Sequence, residues 1–284
     1  MANILKREKQ EMILKLLVEG NSVRSTSRLT GAHVKTILDL LVRVGEACER
    51  VHDETMRDLP CEDIQLDEIW CFVAKKQRHL DQGDPTEWGD AYTFTALDRK
   101  TKLIAAYTVG KRDGWNAASV LLDLQARLAP RARTLLSSDG FEAYPNAVEG
   151  AFGSDADYGM IVKDYGSEDA GRGRYSPPKV LGVEKLAVSG HPDLDRICTS
   201  HVERQNLTMR MMMRRFTRLT NAFSKKLRNL RAAVALYFAY YNLCRVHQTL
   251  RVTPAMEAGV TDRIWTVGDL LDAADRREPI AVAA

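Results

Sequence analysis

Cysteine is scarce in this chain and never closely paired. Its five cysteines, Cys48, Cys61, Cys71, Cys198 and Cys244, form no C-x-x-C unit in 284 residues. That spacing argues against a zinc module and against a disulfide framework, and it suits a reducing compartment. Long apolar runs are also missing. The longest, the ten residues from Ala232 to Tyr241, lies between Arg231 and Arg245. It falls well short of the roughly 20 residues that a bilayer-spanning helix needs, so no membrane association is expected. The amino terminus places Lys6, Arg7, Glu8 and Lys9 ahead of any apolar stretch and has no small-residue cleavage site, unlike a secretory signal. A cytoplasmic, unprocessed protein is expected. No G-x-x-x-x-G-K-[ST] loop occurs, so no nucleotide cofactor is implied. Charge of one sign is not in large excess either. A net +3 is too mild to argue for a polyanionic partner, which leaves the distribution of charge to decide.

What is present reads as globular. With 45% hydrophobic and 28% charged residues, the chain can bury a sizeable core in one large domain or two to three small ones. The first fifty residues have helical periodicity, with Met12, Leu16 and Leu17 in one segment, Val23 and Leu29 in a second, and Val34, Ile37, Leu38, Leu41 and Val44 in a third. Ser22 suits an N-cap for the second segment and Gly31 a tight turn before the third. This is the arrangement of a helix-turn-helix with Ala32 to Val44 as recognition helix and His33, Lys35 and Thr36 facing a DNA groove. The same pattern also suits a plain three-helix bundle. A polar, acidic stretch from Glu46 to Asp63, with Pro60, reads as a linker. The expected organisation is therefore a helical unit over 1–50, a linker over 51–63, a main domain over 64–245 and a tail over 246–284.

From Ile64 the period becomes that of strands. Ile64 to Ala74, Ala91 to Leu97 and Leu103 to Val109 alternate, the last two joined by the turn Asp98-Arg99-Lys100-Thr101. A helix is expected over Trp115 to Leu128, then a short strand over Thr134 to Ser138 ending in Ser-Asp-Gly. Three strands, a helix and a further strand is the order with which the ribonuclease-H-like fold begins. Its crossover helix brings the fourth strand in parallel beside the first, which places Asp67 next to Asp139. Residues 150–198 are rich in Gly, Asp, Ser and Pro. They suit one or two strands, at Tyr158 to Val162 and Val180 to Val188, flanking a mobile loop around the Gly-Arg-Gly-Arg-Tyr-Ser-Pro-Pro stretch at 171–178. Two long helices are expected at Ser200 to Arg218 and Asn221 to Leu243, then an irregular tail with a short helix near Val267 to Ala274. The expected fold class is thus α/β, a mixed ribonuclease-H-like sheet with flanking helices, preceded by a small all-α unit and followed by a helical tail.

Phosphodiester cleavage is served by carboxylates that hold two divalent cations roughly 3.5–4 Å apart, and Mg²⁺ prefers a few carboxylates plus water and substrate phosphate. Asp67, Asp139 and Glu203, from three separate elements, suit that chemistry. Glu68 competes with Asp67, since consecutive strand residues face opposite ways. Alternation pairs Asp67 with Gln65, Ile69 and Cys71, and Glu68 with Leu66 and Trp70; it does not decide which face is functional. Asp139 also suits a turn before Gly140, and Glu203 a first-turn acid favoured by the helix dipole.

The charge distribution favours the catalytic reading. From Arg196 to Arg231 run ten Lys or Arg residues, Arg204, Arg210 and Arg214 among them, against one acid, Glu203. A basic face of this kind grips phosphates, and a lone acid within it can share a metal with a cleaved phosphate.

Four segments carry a family resemblance. Ile64-Gln-Leu-Asp-Glu-Ile-Trp70, Ser138-Asp-Gly-Phe-Glu-Ala-Tyr144, His201-Val-Glu-Arg-Gln-Asn-Leu-Thr-Met-Arg210 and Tyr241-Asn-Leu-Cys-Arg-Val-His-Gln-Thr-Leu-Arg-Val-Thr-Pro254 resemble, in this order, the insertion-sequence-one family of bacterial DDE transposases, over roughly residues 20 to 260. The resemblance implies a metal-dependent transposase that binds transposon inverted repeats and catalyses DNA cleavage and strand transfer. It implies Asp67, Asp139 and Glu203 as ligands of Mg²⁺, with Mn²⁺ able to substitute. It also implies Arg210 as a contact to the transposon end and Arg204, Asn206 and His247 as further DNA or active-site contacts. Partners would be double-stranded transposon-end and target DNA in a homodimer or higher assembly, in a nucleoid-associated cytoplasmic protein. Two departures stand out. The interval between Asp139 and Glu203 is longer than in better-known members, so 150–198 reads as an insertion, and the cysteine zinc module ahead of the helix-turn-helix is missing. A non-catalytic DNA-binding regulator and a metal-dependent nuclease without strand transfer are the alternatives.

Overall fold

The computed structural model describes residues 5–130, 133–165, 180–218 and 220–276. The loop expected around 171–178 lies outside them. Among the described residues, six strands form one mixed sheet: β1 (Asp63–Val73), β2 (Gly89–Asp98), β3 (Ile104–Gly110), β4 (Thr134–Asp139), β5 (Ala156–Tyr165) and β6 (Val180–Ser189), in the order β3-β2-β1-β4-β5-β6. β2 is antiparallel to β1 and β3, β4 is parallel to β1 and β5, and β6 returns antiparallel to β5. The three antiparallel strands, the helix α4 (Gly114–Arg127) and the parallel return of β4 beside β1 follow the expected ribonuclease-H-like order. β1 is central, and Ile64, Leu66, Ile69 and Val73 are buried.

Helices cover the sheet. α5 (Tyr144–Phe152) packs on α4, and α6 (Ser200–Met212) lies against β1 and β2. α7 (Leu227–Ala239) is nearly all buried from Leu230 onward. It passes into a π-helical turn at Tyr240–Cys244, followed by α8 (Pro254–Glu257) and α9 (Val267–Asp275).

At the amino terminus, α1 (Arg7–Val18), α2 (Val23–Thr30) and α3 (Val34–Thr55) form from the expected signals. Ser22 Oγ accepts the Ser25 amide at 3.0 Å, and Gly31 terminates α2 at φ +65°, where glycine avoids the cost of a Cβ. α3 differs from the expectation. It continues eleven residues past Val44 to Thr55, through the first part of the segment read as a linker. The reason lies in its face: Ala47, Cys48, Val51 and Thr55 continue the buried stripe of Ile37, Leu41 and Val44, while Glu49, Arg50 and Glu54 keep water. That stripe packs on α7 and α9 within the same apolar core as the sheet. Closest approach falls at Gly45, where a Cβ would meet the Ala232 carbonyl oxygen at 2.3 Å.

The long helices after Thr199 are shorter than periodicity suggests. α6 ends at Met212 because Met213 is extended, and a 3-10 turn at Arg214–Phe216 follows. The Thr217 hydroxyl donates to the freed Arg210 carbonyl at 3.0 Å. α7 begins only at Leu227, after an extended Lys226.

Candidate active site

The site begins with strand register. β1 and β4 pair in parallel with Asp63 opposite Leu135 and Gln65 opposite Ser137. Asp67 and Asp139 each lie two residues past the last of these pairs, at corresponding positions if the register is carried on, and the Asp139 charge acts on Asp67.

The buried Gln65, two residues before Asp67 and on its face, ties the sheet to α6. Its Oε1 accepts the backbone amides of His201 and Val202 at 3.0 and 3.1 Å. These are first-turn amides without a helical partner, so the strand side chain fixes where α6 starts. The helix then carries Asn206 onto the carboxylate pair, and Asn206 Nδ2 donates to Asp67 Oδ2 at 2.8 Å. Asp67 Oδ1 accepts the Glu68 amide at 2.8 Å, and Asp139 Oδ1 accepts the Phe141 amide at 3.1 Å. Arg210, one turn beyond Asn206 and half-buried, feels the Asp67 charge.

Glu68 points away from this helix. Its side chain, 3% exposed, takes Arg112 Nε at 2.6 Å and the Tyr144 hydroxyl at 3.0 Å, and Arg112 also stacks over Phe141 at 4.0 Å. Glu68 therefore has a cation of its own. Asp67 has none within hydrogen-bonding reach among the described residues. Burial first, then the charges of Asp139 and Glu68, push its carboxyl up from the ordinary 3.8 to about 7. The Asn206 donor opposes this only in part. Concentrated, under-neutralised oxygen donors of this kind match the preference of Mg²⁺.

Glu203 is placed differently. It lies on the first turn of α6, but its Oε1 accepts Lys163 Nζ of β5 at 2.6 Å and the Thr199 hydroxyl at 2.9 Å. Among the described residues no group of three carboxylate, His or Cys side chains is set to hold a metal ion. The structure thus brings Asp67, Asp139, Asn206 and Arg210 together and leaves Glu203 paired with a lysine.

The remaining sequence-derived positions fall elsewhere. His33 is exposed and caps α3, its Nδ1 accepting the Lys35 amide at 3.2 Å. Lys35 pairs with Asp39 at 2.6 Å on the helix surface, with Thr36 beside it. Arg214 is exposed in the 3-10 turn. Arg204 and His247 meet in a separate cavity on the far side of α6. Asn206, expected as a DNA or active-site contact, donates to Asp67. The sequence pattern does not single out Gln65, Arg112 and Lys163. Gln65 carries a signal, a long amide in phase with Asp67 between the apolar Ile64 and Leu66; the other two become partners only through tertiary packing.

The strand order, with β4 returning parallel beside β1 and helices flanking the sheet, is that of a mixed α/β fold with the ribonuclease-H-like arrangement. No protein-family profile and no curated protein matches the sequence. Among solved structures, the chain is similar to the Mos1 strand transfer complex, at 10% identity over 97% of this chain and 78% of that chain with a TM-score of 0.36. It is also similar to the Mos1 mariner paired-end complex with Mn, at 9% identity over 97% and 79% with a TM-score of 0.34. The Mos1 transposase paired-end complex with left transposon end matches at 13% identity over 56% of this chain with a TM-score of 0.23, and there the chain spans 60% of that transposase's length.

Proposed function

We propose that the chain is a DDE-type DNA transposase of the insertion-sequence-one kind, which binds inverted-repeat ends and carries out metal-dependent cleavage and strand transfer. The observation that carries the reading is the placement of Asp67 and Asp139 on adjacent parallel strands, close enough for their charges to act on each other, with no cation bonded to Asp67 among the described residues. Asp67 and Asp139 would hold Mg²⁺ or Mn²⁺, and Glu203 would join them once released from Lys163. When bound, the ions stabilise the attacking and leaving oxygens of an in-line displacement.

The chain's own residues do the rest. Asn206 fixes one oxygen of Asp67, and Gln65 fixes the helix that carries Asn206, so the carboxylate loses no freedom when substrate arrives. Arg210 supplies positive charge beside Asp67 for a bound phosphate. The α2–α3 unit, with His33 and Lys35 exposed and Thr36 half-buried at the start of α3, binds the inverted repeat. The exposed bases from Arg204 to Arg231 hold the duplex backbone. Hydrolysis at the transposon end frees a 3′ hydroxyl. That hydroxyl then attacks a target phosphodiester and displaces a target 3′ oxygen, with no covalent enzyme intermediate. Joining two ends calls for a dimer or larger assembly on DNA, in the cytoplasm at the nucleoid. No helix of the described residues is long and apolar enough to cross a membrane.

The test incubates the protein with a labelled inverted-repeat end, a target plasmid and Mg²⁺. Joined product is expected from the wild type, and Asp139→Asn should retain end binding without cleavage. Cleavage without joining would assign a nuclease, a gel shift without chemistry a DNA-binding regulator, and persistent nicking by Asp139→Asn would sink the site assignment.

A further inference from the structure

On the side of α6 away from Asp67 lies a cavity of about 460 Å³, walled by α6, the β2–β3 turn and the segment after the π-helical turn. Lys102, His201, Arg204, Arg245 and His247 all line it, and no carboxylate does among the described residues. This is unusual in a chain with 38 acids for 41 Lys and Arg, where surface bases are commonly paired. Arg204 and Arg245 make no side-chain hydrogen bond or ion pair within the described residues, and Lys102 Nζ stands 3.4 Å from His201 Nδ1. The electrostatics agree with the geometry. Burial, then Lys102 and Arg99, lowers His201; burial, then Lys102 and Arg245, lowers His247. Asp98 and Asp63 offset part of the charge on Lys102, and Asp63 part of that on His201, from outside the cavity.

We infer that this cavity is a second phosphate site, which takes a backbone phosphodiester of bound DNA other than the one being cleaved. The inference rests on the transposase reading for the identity of its ligand. Two unpaired guanidiniums converging on one cavity suit the tetrahedral oxygens of a phosphate, which they can bind in fork geometry. The position separates it from the reacting phosphate. With 3.6 residues per turn, His201, Arg204 and Thr208 lie on the face of α6 opposite Asn206 and Arg210, across a helix about 10 Å thick. DNA seated in both places would be clamped around the amino-terminal half of α6.

The test measures duplex affinity against salt in EDTA, so that no chemistry is required, with the full chain and its Arg204→Gln/Arg245→Gln variant. Circular dichroism confirms folding. Releasing one DNA phosphate from the protein lowers the slope of log K against log salt by about one, and a drop of that size with weakened low-salt binding is expected. Thr208→Glu, which adds a carboxylate to the wall without removing an arginine, should do the same and serves if the double variant fails to fold. A slope left unchanged in the variant, while the wild type binds DNA, overturns the inference alone. Absence of salt-dependent DNA binding by the wild type overturns the transposase reading with it. A third arm adds inorganic pyrophosphate without DNA. Thermal stabilisation that the variant loses, with its DNA slope intact, would make this a free-anion site and overturn the assignment to DNA.

Discussion

Lys163 of β5 donates to Glu203 Oε1 of α6 across 2.6 Å, holding by a cation the acid proposed as third metal ligand. The side chains are 30% and 44% exposed, so the pair is screened and worth at most about 1 kcal/mol. That is small enough for an arriving divalent cation and phosphate to displace it. Lys163→Ala should therefore lower the Mg²⁺ concentration for half-maximal cleavage, by at most about fivefold. A titration showing a higher Mg²⁺ requirement would mean that Lys163 assists the site.

Asn206 is expected to act through Asp67. Its donor favours the ionised carboxylate, so Asn206→Ala should raise the Asp67 pKa beyond about 7. The acid limb of the cleavage rate should move upward by roughly one pH unit, the scale of a hydrogen bond to a charged group. A pH–rate profile that falls in amplitude without shifting would assign Asn206 to DNA binding instead.

Asp67 should weaken the metal-free fold as pH rises. Its folded pKa is raised from 3.8 to about 7, so the folded state holds the proton more tightly than the unfolded chain. The associated stability is present below about 4 and lost as pH rises to about 7. Without divalent ions, Asp67→Asn should raise the thermal midpoint at pH 8 and change it little at pH 4. Equal shifts at both values would contradict a buried, uncompensated carboxylate.

Strand phase is testable at the adjacent acid. Glu68 has Arg112 and Tyr144 as partners, and Glu68→Gln keeps hydrogen-bonding capacity toward both. Cleavage should survive in Glu68→Gln and vanish in Asp67→Asn. The reverse outcome in the end-cleavage assay would move the metal site to the other face of β1.

Gly45 tests the packing of α3 on α7. An alanine Cβ would stand 2.3 Å from the Ala232 carbonyl oxygen, and overpacking of this kind costs about 1–3 kcal/mol. Gly45→Ala should lower the thermal midpoint by roughly 2–10 °C. An unchanged midpoint would show that the two helices do not cross so closely.

The strand order is legible in the sequence because alternation and turn residues are local. The same holds for the Ser22 cap and the Gly31 turn, each of which needs only its neighbours in the chain. Residues 46–55 imitate a solvated linker because Glu46, Glu49, Arg50, Asp53 and Glu54 dominate their pattern, while Ala47, Cys48 and Val51 gain a role only when α7 arrives. Asn206 stands out in sequence as a polar residue in a basic helix, but its partner, Asp67, is 139 positions away. Arg204 and His247 stand out separately, and the cavity that joins them needs Lys102 and Arg245 as well.

By itself the sequence determined the alternation of the strands and the start of the first helices, because these need only neighbours in the chain. The parallel return of the fourth strand, and with it the nearness of Asp67 and Asp139, followed from the order of strands and helix and the handedness of crossovers. It did not determine which acids are neutralised. Arg112 claims Glu68, Lys163 claims Glu203, and among the described residues Asp67 receives an amide and an asparagine but no cation, because those pairings depend on which elements pack together and on the dielectric they enclose. The tertiary structure decided them, and with them which carboxylate keeps the unspent charge that a metal ion would meet.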